Sequence, residues 1–469
     1  MIDKSSSFRE KSFWLDEEYT PNTQVASDMK VDVAIVGGGF TGLSSAYFLK
    51  QAEPDLKIAL IEGDVIGYGA SGRNGGFSMS LLAENAMELV RFAGSLEAAK
   101  AAHCFMREAV EHVDTMVKKY DLKCDYEKNG LITVALNPAH IKKMREYVET
   151  YIKLGSDCEF LDQAEIRKRF NTNAFYGGHY DKNCAILNPA KLCREMKRIV
   201  EDQGVEVFEQ TPVAGYEADK TIRIQTQGGM VSAKTMVVAT NAFSTKLDRE
   251  YADLAVPVFT YIVLTEPLTD EQYQSIGWQG REGIETSLSM INYFRLTTDN
   301  RIAMGGGDAL YFYGDNLDHD QDPYAFSVAF RDLLHFFPQL EGIKITHQWG
   351  GPVFMGLEWI PSFGRTGAHN NIIYSMGYSG HGVAAANYAG SLVRDVYFDN
   401  QERLEKLFFK DYRTPWYRGG FLLSSNWLRW VGFKASVAYM KYLDNRAVKS
   451  IEDSRNREYY LKERFARNR

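Results

Sequence analysis

The sequence lacks the features that would mark a membrane, secreted or nucleic-acid-binding protein. No run in its 469 residues approaches the roughly 18 consecutive apolar residues that a membrane-spanning helix needs. Residues 1–30 are polar and contain no apolar segment of a secretory signal. The formal net charge is −7, and the body of the chain has no basic run. We therefore expect a cytoplasmic protein that binds no nucleic acid.

Cysteine is also scarce. The five cysteines are scattered and include no C-x-x-C pair: Cys104, Cys124, Cys158, Cys184 and Cys193. An odd number of separated thiols is typical of a reducing compartment and predicts no disulfide framework. The spacing also predicts no structural zinc site, and we expect no bound metal.

The stretch after residue 30 begins with a strand and a glycine-rich turn. Val33 to Val36 form a short apolar run rich in β-branched residues, which predicts a strand buried in a parallel sheet. The pattern G-x-G-x-x-G follows directly at Gly37, Gly39 and Gly42. These glycines allow a tight turn, close approach of a pyrophosphate and close packing of helix on strand. A helix that starts here would bind phosphates through its first N–H groups, at Phe40 and Thr41.

An acidic residue follows at the spacing of a dinucleotide site. A second apolar run ends at Glu62, 20 residues after Gly42, where a carboxylate can accept hydrogen bonds from an adenosine ribose. This favours NAD or FAD over NADP, because the carboxylate would repel a 2′-phosphate.

A second glycine-rich turn favours FAD over NAD. FAD is longer and needs further donors along its pyrophosphate and ribityl chain, and the turn supplies both backbone and polar side chains. The residues that we expect to contact FAD here are Gly69, Ala70, Ser71, Arg73, Asn74, Gly75 and Gly76.

Together these motifs resemble a known enzyme family. Gly37–Gly42, Glu62, Ala70–Gly76 and the later sequence Gly377–Val383 (GYSGHGV) are similar to the amine- and amino-acid-oxidising enzymes of the D-amino-acid-oxidase-like FAD superfamily. The similarity is greatest to its γ-glutamylputrescine oxidase, glycine oxidase and sarcosine oxidase branches. Further cofactor contacts implied by the resemblance are Val213, Thr240, Asn241, Gly350, Tyr378, Ser379, Gly380, His381, Gly382 and Val383.

The resemblance implies an α/β fold (α+β overall) with a discontinuous, Rossmann-like FAD-binding domain. An antiparallel-sheet substrate domain would be inserted into it, and a helical extension would follow. The expected division is an arm at 1–30, FAD-binding segments at 31–100, 181–245 and 346–410, substrate-binding segments at 101–180 and 246–345, and a C-terminal extension at 411–469.

The expected chemistry is oxidation of a carbon–nitrogen bond. A hydride passes from the carbon that bears nitrogen to the flavin, and the resulting imine is hydrolysed. Sarcosine oxidases attach their flavin to a late cysteine, but no cysteine follows Cys193 here, so we expect non-covalent FAD. The same enzymes place a lysine for oxygen activation where this chain has Ala303. We expect O₂ as acceptor, giving H₂O₂; a dehydrogenase that reduces a quinone and a non-catalytic flavin-binding factor are the alternatives.

Substrate contacts are the least defined part of the sequence. Arg295 could bind a substrate carboxylate through two parallel hydrogen bonds, or it could simply face solvent. Tyr293 would share its strand face. We expect His381 to contact the cofactor rather than to transfer a proton, while His347 and Trp349 are weaker candidates for the cavity wall. The expected substrate is a small amine or amino acid that bears an anionic group.

The tail from residue 411 differs from the body in charge. It carries 13 Lys or Arg and 6 Asp or Glu, a net charge of +7. Trp430, Phe433, Val437 and Met440 form one helical stripe, with Lys434 and Lys441 close to it. Such a helix could contact a membrane surface. We favour its packing against the acidic body or a second subunit, and the oligomeric state remains open.

Overall fold

The computed structural model describes residues 12–248, 250–251, 254–356, 358–410 and 425–449. Within these residues the chain forms two eight-stranded sheets, one two-stranded sheet and helices that pack on both large sheets. This is the mixed α/β architecture that the sequence predicts.

The strands are named in chain order. They are β1 Met29–Val36, β2 Ile58–Ile61, β3 Phe77–Ser78, β4 Leu131–Val134, β5 Cys158–Leu161, β6 Gly178–Asp181, β7 Ala185–Ile186, β8 Glu206–Phe208, β9 Gly215–Glu217, β10 Ile222–Gln225, β11 Met230–Val238, β12 Val256–Thr265, β13 Gly283–Thr286, β14 Asn292–Leu296, β15 Ile302–Gly306, β16 Ile345–Met355, β17 Ser362–Thr366 and β18 Ile372–Met376.

The α-helices are named in the same way. They are α1 Phe40–Ala52, α2 Ala86–Ala93, α3 Leu96–Tyr120, α4 His140–Leu154, α5 Gln163–Arg169, α6 Pro189–Asp202, α7 Ser244–Leu247, α8 Asp270–Ile276, α9 Pro323–Phe336, α10 Gly382–Tyr397, α11 Gln401–Leu404 and α12 Asn426–Lys449.

The first large sheet is mainly parallel. Its strand order is β17-β18-β11-β1-β2-β8, and β9 and β10 extend it antiparallel from β11. β1 pairs in parallel with both β2 and β11, and β11 pairs in parallel with β18. The carboxyl ends of β1, β2, β11 and β18 therefore meet at one edge, which is where ligands bind in open parallel sheets.

The second large sheet is mainly antiparallel, with the order β16-β12-β15-β14-β13-β4-β6-β5. The exception is the parallel pair of β13 and β4. An apolar core that includes Phe175, Trp278, Phe294 and Phe336 packs against this sheet, and each of these side chains is fully buried.

Two helices on the first sheet pack at very short range. A Cβ at Gly390 of α10 would lie 2.2 Å from the backbone carbonyl of Ser44 on α1. The Ser44 hydroxyl in turn accepts a hydrogen bond from the Gly390 N–H at 3.1 Å and donates to the Asn387 carbonyl at 2.5 Å. These contacts fix the two helix N-termini relative to each other.

The described part of the N-terminal arm is anchored to the body. Trp14 and Leu15 are buried. The Tyr19 hydroxyl donates to the buried Glu209 carboxylate, which also forms a 2.7 Å ion pair with Lys197 of α6.

Two of the expected domain boundaries fall within regular elements of the structure. The division at residue 100 falls inside α3, whose Phe105 and Val113 belong to the same core as β1 and α1. The division at residue 345 falls at the start of β16, which pairs with β12 along its length, so residues 346–355 belong to the second sheet. Both expected boundaries cut through a helix or a strand that packs as one unit.

No helix in the described ranges combines the length and apolar content needed to cross a bilayer.

Candidate active site

A cavity of about 920 Å³ extends between the carboxyl edge of the first sheet and the second sheet. Its volume is near the upper end for small-molecule sites. We call the part lined by the loops after β1, β2, β11 and β18 the dinucleotide end. The part lined by the second sheet, its connecting loops and α12 is the substrate end.

The first glycine-rich turn presents a helix N-terminus to the cavity. α1 begins after Gly39 with no cap from the Gly39 position, and the Phe40 N–H donates to Ser71 Oγ at 3.0 Å. The next N–H groups of the first turn, at Thr41 and Gly42, are left for an anion. Gly37 has φ +112°, a conformation that favours glycine. A Cβ at Gly42 would lie 1.9 Å from the Gly37 carbonyl oxygen, so only glycine lets helix and turn pack this closely.

Glu62 lies beside this helix start. Its carboxylate accepts hydrogen bonds from the N–H of Gly38 at 2.7 Å and of Asp64 at 2.9 Å. Burial raises the pKa of Glu62 to about 7, although these two hydrogen bonds act in the opposite direction.

The second glycine-rich turn is held by its own side chains. Asn74 donates to the carbonyls of Ala70 and Ser71 and accepts from the Gly76 N–H. Arg73 donates from Nε to the Tyr68 carbonyl at 2.9 Å, and its guanidinium lies 4.7 Å from the centre of the Tyr68 ring. Burial lowers the pKa of Arg73 to about 10, so it stays charged at neutral pH.

The late GYSGHGV motif supplies a second helix N-terminus. α10 begins at Gly382 without a side-chain cap. The Tyr378 hydroxyl lies between Thr41 Oγ1 at 2.8 Å and Ser375 Oγ at 2.9 Å, which ties this motif to the first turn. His381 is buried, and burial lowers its pKa to about 4, so the ring is neutral.

These features fit FAD. Its pyrophosphate would lie at the start of α1, and a ribose hydroxyl could donate to Glu62. His381 Nδ1 is buried with no hydrogen-bond partner among the described residues, as expected of a polar atom whose partner belongs to a ligand. The uncapped start of α10 would stabilise negative charge on the isoalloxazine.

Most of the predicted cofactor contacts line this cavity. They are Gly37, Gly39, Phe40, Thr41, Glu62, Gly69, Ala70, Ser71, Arg73, Asn74, Gly75, Val213, Thr240, Asn241, Tyr378, Ser379, Gly380, His381, Gly382 and Val383. Gly42, Gly76 and Gly350 do not line it. Gly42 and Gly76 face backbone instead, with an added Cβ 1.9 Å and 2.0 Å from carbonyl oxygens, and Gly351 lines the cavity in place of Gly350.

The structure corrects both interpretations of Arg295, as a substrate contact and as a solvent-facing residue. The structure does not bring it to the cavity wall, and it is not solvent-facing either, since only 1% of it is exposed. Its guanidinium donates to the carbonyls of Leu296 and Leu187 and lies over the Trp14 ring. Arg295 therefore holds the chain beneath the second glycine-rich turn and is not placed to bind a substrate carboxylate.

Tyr293, two residues earlier, does line the cavity. Its ring lies 5.9 Å from that of Phe77, and burial raises the pKa of its hydroxyl to about 12. The weaker candidates His347 and Trp349 lie elsewhere. His347 contacts Asp16 at 2.9 Å. The buried Trp349 donates to the Arg73 carbonyl at 2.8 Å and therefore packs behind the second glycine-rich turn.

The C-terminal helix α12 closes the substrate end, which the sequence did not predict. The residues of this helix that line the cavity are Leu428, Arg429, Gly432, Phe433, Ser436, Val437 and Met440. The apolar stripe through Phe433, Val437 and Met440 was visible in the sequence, and it faces the cavity.

Polar contacts fasten α12 to the second sheet and its loops. Lys441 pairs with Asp308 at 2.9 Å and Arg429 with Asp315 at 3.1 Å. The Asp444 carboxylate accepts from the N–H of Ser289 and Met290, both at 2.9 Å. The described part of the tail thus packs against the body of its own chain, as the favoured alternative expected.

Glu285 of β13 is a second residue that sequence reasoning missed. It lines the substrate end and is only 8% exposed. A charged residue between Ile284 and Thr286 in an apolar strand was the available signal.

Comparisons with known proteins agree with this site. The gamma-glutamylputrescine oxidoreductase of Escherichia coli K12 is 31% identical over 390 residues, covering 83% of this chain and 88% of that protein. A Haemophilus influenzae protein named "Probable oxidoreductase OrdL" is 30% identical over 436 residues, covering 92% and 95%. The crystal structure of glycine oxidase from Geobacillus kaustophilus shares the fold, with TM-score 0.66 and 16% identity, covering 79% and 95%. Residues 32–396 match the family described as FAD dependent oxidoreductase (DAO). The chain belongs to this family of FAD-dependent oxidoreductases.

Proposed function

We propose that the enzyme oxidises the carbon–nitrogen bond of a small amine or amino acid and uses O₂ as the electron acceptor, giving H₂O₂. The observation that carries this proposal is one continuous cavity, whose wall includes both the glycine-rich turns that fit FAD and the half-buried Tyr293. The name of the E. coli relative, gamma-glutamylputrescine oxidoreductase, supports an amine as the substrate class.

The chain's own residues would position and desolvate the substrate. FAD, when bound, accepts the hydride. Water is excluded from the substrate end by Tyr293, Phe77 and the apolar face of α12, and these groups hold the amine against the second glycine-rich turn. His381 is neutral at the start of α10 and contacts the cofactor, and its low pKa argues against a role as a proton donor at neutral pH.

FAD should be held without a covalent bond to cysteine. All five cysteines are free, and none lines the cavity. Acid precipitation should therefore release the yellow flavin into the supernatant, and colour that stays with the pellet would refute this part of the proposal.

A dehydrogenase that passes electrons to a quinone at a membrane surface is the second candidate. The outward side of α12 favours it, because Trp427, Trp430, Tyr439 and Tyr442 are exposed there, with Trp427 59% and Tyr439 61% exposed. Ala303, at the position where sarcosine oxidases carry a lysine, is buried beside Trp14 and Trp349 and places no cation near the cavity.

Anaerobic flavin reduction tests the proposal. The FAD-loaded enzyme is mixed with primary amines, N-methyl amino acids and γ-glutamyl amines while the flavin band at about 450 nm is followed. Bleaching by one class supports amine oxidation, and no bleaching by any of them opposes it. Admitting air then separates the two acceptors: fast return of colour with H₂O₂ indicates an oxidase. Slow return together with rapid reduction of a quinone dye indicates the dehydrogenase.

A further inference from the structure

Glu285 is a buried acid at the substrate end whose own chain gives it no partner. It lies on the cavity wall with 8% of its surface exposed and makes no hydrogen bond or ion pair with any described residue. Buried carboxylates in folded proteins are normally paired or hydrogen-bonded, because an isolated buried charge is costly. A carboxyl group in this state indicates that its partner comes from the ligand.

Glu285 lies next to Tyr293 on the wall of the substrate end. Glu285 and Tyr293 are directly opposite in the antiparallel pair of β13 and β14, so their side chains share the face that lines the cavity. Thr133, its neighbour across β4, is not ionisable. The apolar cluster of Phe77, Met79 and Leu131 packs against Tyr293 on this side.

The other charges of the substrate end are already paired. Besides Glu285, the charged residues that line this end are Asp308 and Arg429, while the cations Arg73 and Lys246 line the dinucleotide end of the same cavity. Lys441 neutralises Asp308, and Asp315 neutralises Arg429. Among the described residues of this end, the charge left for a ligand is therefore negative, and Arg295, which would have supplied a positive charge, lies behind the cavity wall.

The ionisable groups around Glu285 are neutral at pH 7. Burial raises the pKa of Tyr293, which lies opposite Glu285, to about 12. Burial also raises the pKa values of Tyr151 and Cys184, and the charge of Glu285 acts in the same direction on both. Burial alone raises the pKa of Glu285 to about 7, with no charge acting on it. At neutral pH the carboxyl group can therefore bind a cation in its ionised form and can also accept a proton.

We propose that Glu285 binds the ammonium group of the substrate and takes one proton from it, so that the site accepts alkylammonium compounds and does not require an anionic group on them. This inference rests on the proposed function. In the step, one N–H bond of the ammonium breaks and one O–H bond forms on Glu285. The amine becomes neutral and keeps its lone pair, which hydride transfer from the adjacent carbon requires, and no electrons move. Glu285 then loses the proton to water before the next substrate binds.

Binding of a substrate analogue tests the proposal without turnover. The probe is tert-butylamine, whose ammonium-bearing carbon has no hydrogen to transfer, titrated calorimetrically into the FAD-loaded enzyme. Wild type should bind it more tightly as the pH rises from 5.5 to 8, and at pH 5.5 binding should release about one proton, because the carboxyl group must ionise. Glu285→Gln should bind at least about tenfold more weakly at pH 8, with no such pH dependence.

The same variants give a kinetic test. In wild type, the anaerobic flavin-reduction rate with butylamine should rise with pH and level off above about 7. In Glu285→Gln the rise should continue toward the pKa of the free amine, and the rate at pH 7 should fall at least about tenfold. Glu285→Asp keeps the charge and should retain part of the affinity. The control is Glu159→Gln, an exposed carboxylate of the same sheet on β5, which should match wild type.

The outcomes separate this inference from the proposed function. If amines reduce the wild-type flavin but Glu285→Gln matches wild type in binding and rate, the inference is wrong and the proposed function stands. If N-methylglycine is preferred over butylamine at least about tenfold, the substrate class is wrong. If no amine reduces the flavin but tert-butylamine binding depends on Glu285, the cation site stands and the proposed function fails. FAD content and circular dichroism must show that each variant is folded, and Glu285→Asp decides the question if the Gln variant is not.

Discussion

The two ends of the cavity are built in different ways. The dinucleotide end consists largely of backbone from short continuous motifs, such as the turn at Gly37–Gly42 and the uncapped start of α10. The substrate end consists of side chains from separate strands and from α12, brought together from positions as distant as Glu285 and Met440. A cofactor can be held by backbone from a short sequence motif, whereas a substrate is recognised by a surface that only the complete fold assembles.

The carboxyl groups of the two ends show the same difference. Burial raises the pKa of both Glu62 and Glu285 to about 7. Glu62 receives hydrogen bonds from the N–H of Gly38 in the first glycine-rich turn and of Asp64 in its own loop, while Glu285 receives no hydrogen bond from the described residues. Glu62 therefore has protein partners whether or not FAD is bound, whereas Glu285 depends on a ligand for its partner.

The largest expected effect comes from breaking the backbone of the dinucleotide end. Gly42→Val should destabilise the protein by at least about 3 kcal/mol, because its Cβ would overlap the Gly37 carbonyl. Urea unfolding and FAD content measure the effect. Gly215→Val is the control, since a Cβ there meets nothing within 4 Å. An equal loss of unfolding free energy and FAD content in both variants would mean that the close packing at Gly42 is not what stabilises the dinucleotide end.

A smaller effect should be confined to cofactor binding. Glu62→Gln should raise the Kd for FAD by about 10- to 100-fold, since a charged hydrogen bond to the ribose is weakened. At saturating FAD, the KM for amine should stay at the wild-type value. Glu206→Gln, an exposed carboxylate on the neighbouring strand β8, is the control for fluorescence titration of the FAD-free protein. An unchanged Kd in Glu62→Gln would remove the ribose contact.

The pH dependence of stability tests whether Glu285 titrates near neutral pH. The folded-state pKa of Glu285 lies above its unfolded value of 4.5, so the fold favours the protonated form and wild type loses stability as the pH rises from about 4.5 to 7. Glu285→Gln removes that loss and should be more stable than wild type by up to about 3 kcal/mol at pH 8, with less than about 1 kcal/mol of difference at pH 5. Thermal unfolding of both proteins without substrate measures this. A difference that is the same at both pH values would show that Glu285 does not titrate in this range.

Sequence reasoning expected Gly37, Glu62 and Tyr378 at one ligand site, from a turn, a strand end and a helix start. All three residues line the cavity, and their contact with FAD stays a prediction. The same reasoning is less effective for side chains without a local pattern. Sequence reasoning failed for Arg295, because the sequence of a strand does not show whether its arginine faces a ligand or binds backbone carbonyls. The structure shows the second arrangement, with Leu187 as a partner 108 residues away in the chain.

The tail shows another limit of the sequence. Its stripe at Phe433, Val437 and Met440 predicted that one side of a helix would be covered, but not by what. In the structure this stripe lines the cavity. The helix is held there by the ion pair of Lys441 with Asp308 and by the hydrogen bond that the Met290 N–H donates to Asp444. Such long-range pairs have no local signature.

The smallest expected effect sharpens the comparison from the side of α12. Phe433 lines the substrate end and packs its ring 5.6 Å from that of Tyr311, so Phe433→Ala should raise the KM for amine by about 3- to 10-fold through lost apolar contact. The Kd for FAD should not change, because no residue of the dinucleotide end needs that ring. Tyr439→Ala is the matched control: it removes an aromatic ring from the same helix, but Tyr439 is 61% exposed and does not line the cavity. Steady-state kinetics at saturating FAD should therefore distinguish the two variants. If both raise KM equally, α12 acts on the site only through its overall stability and is not a wall that contacts the substrate.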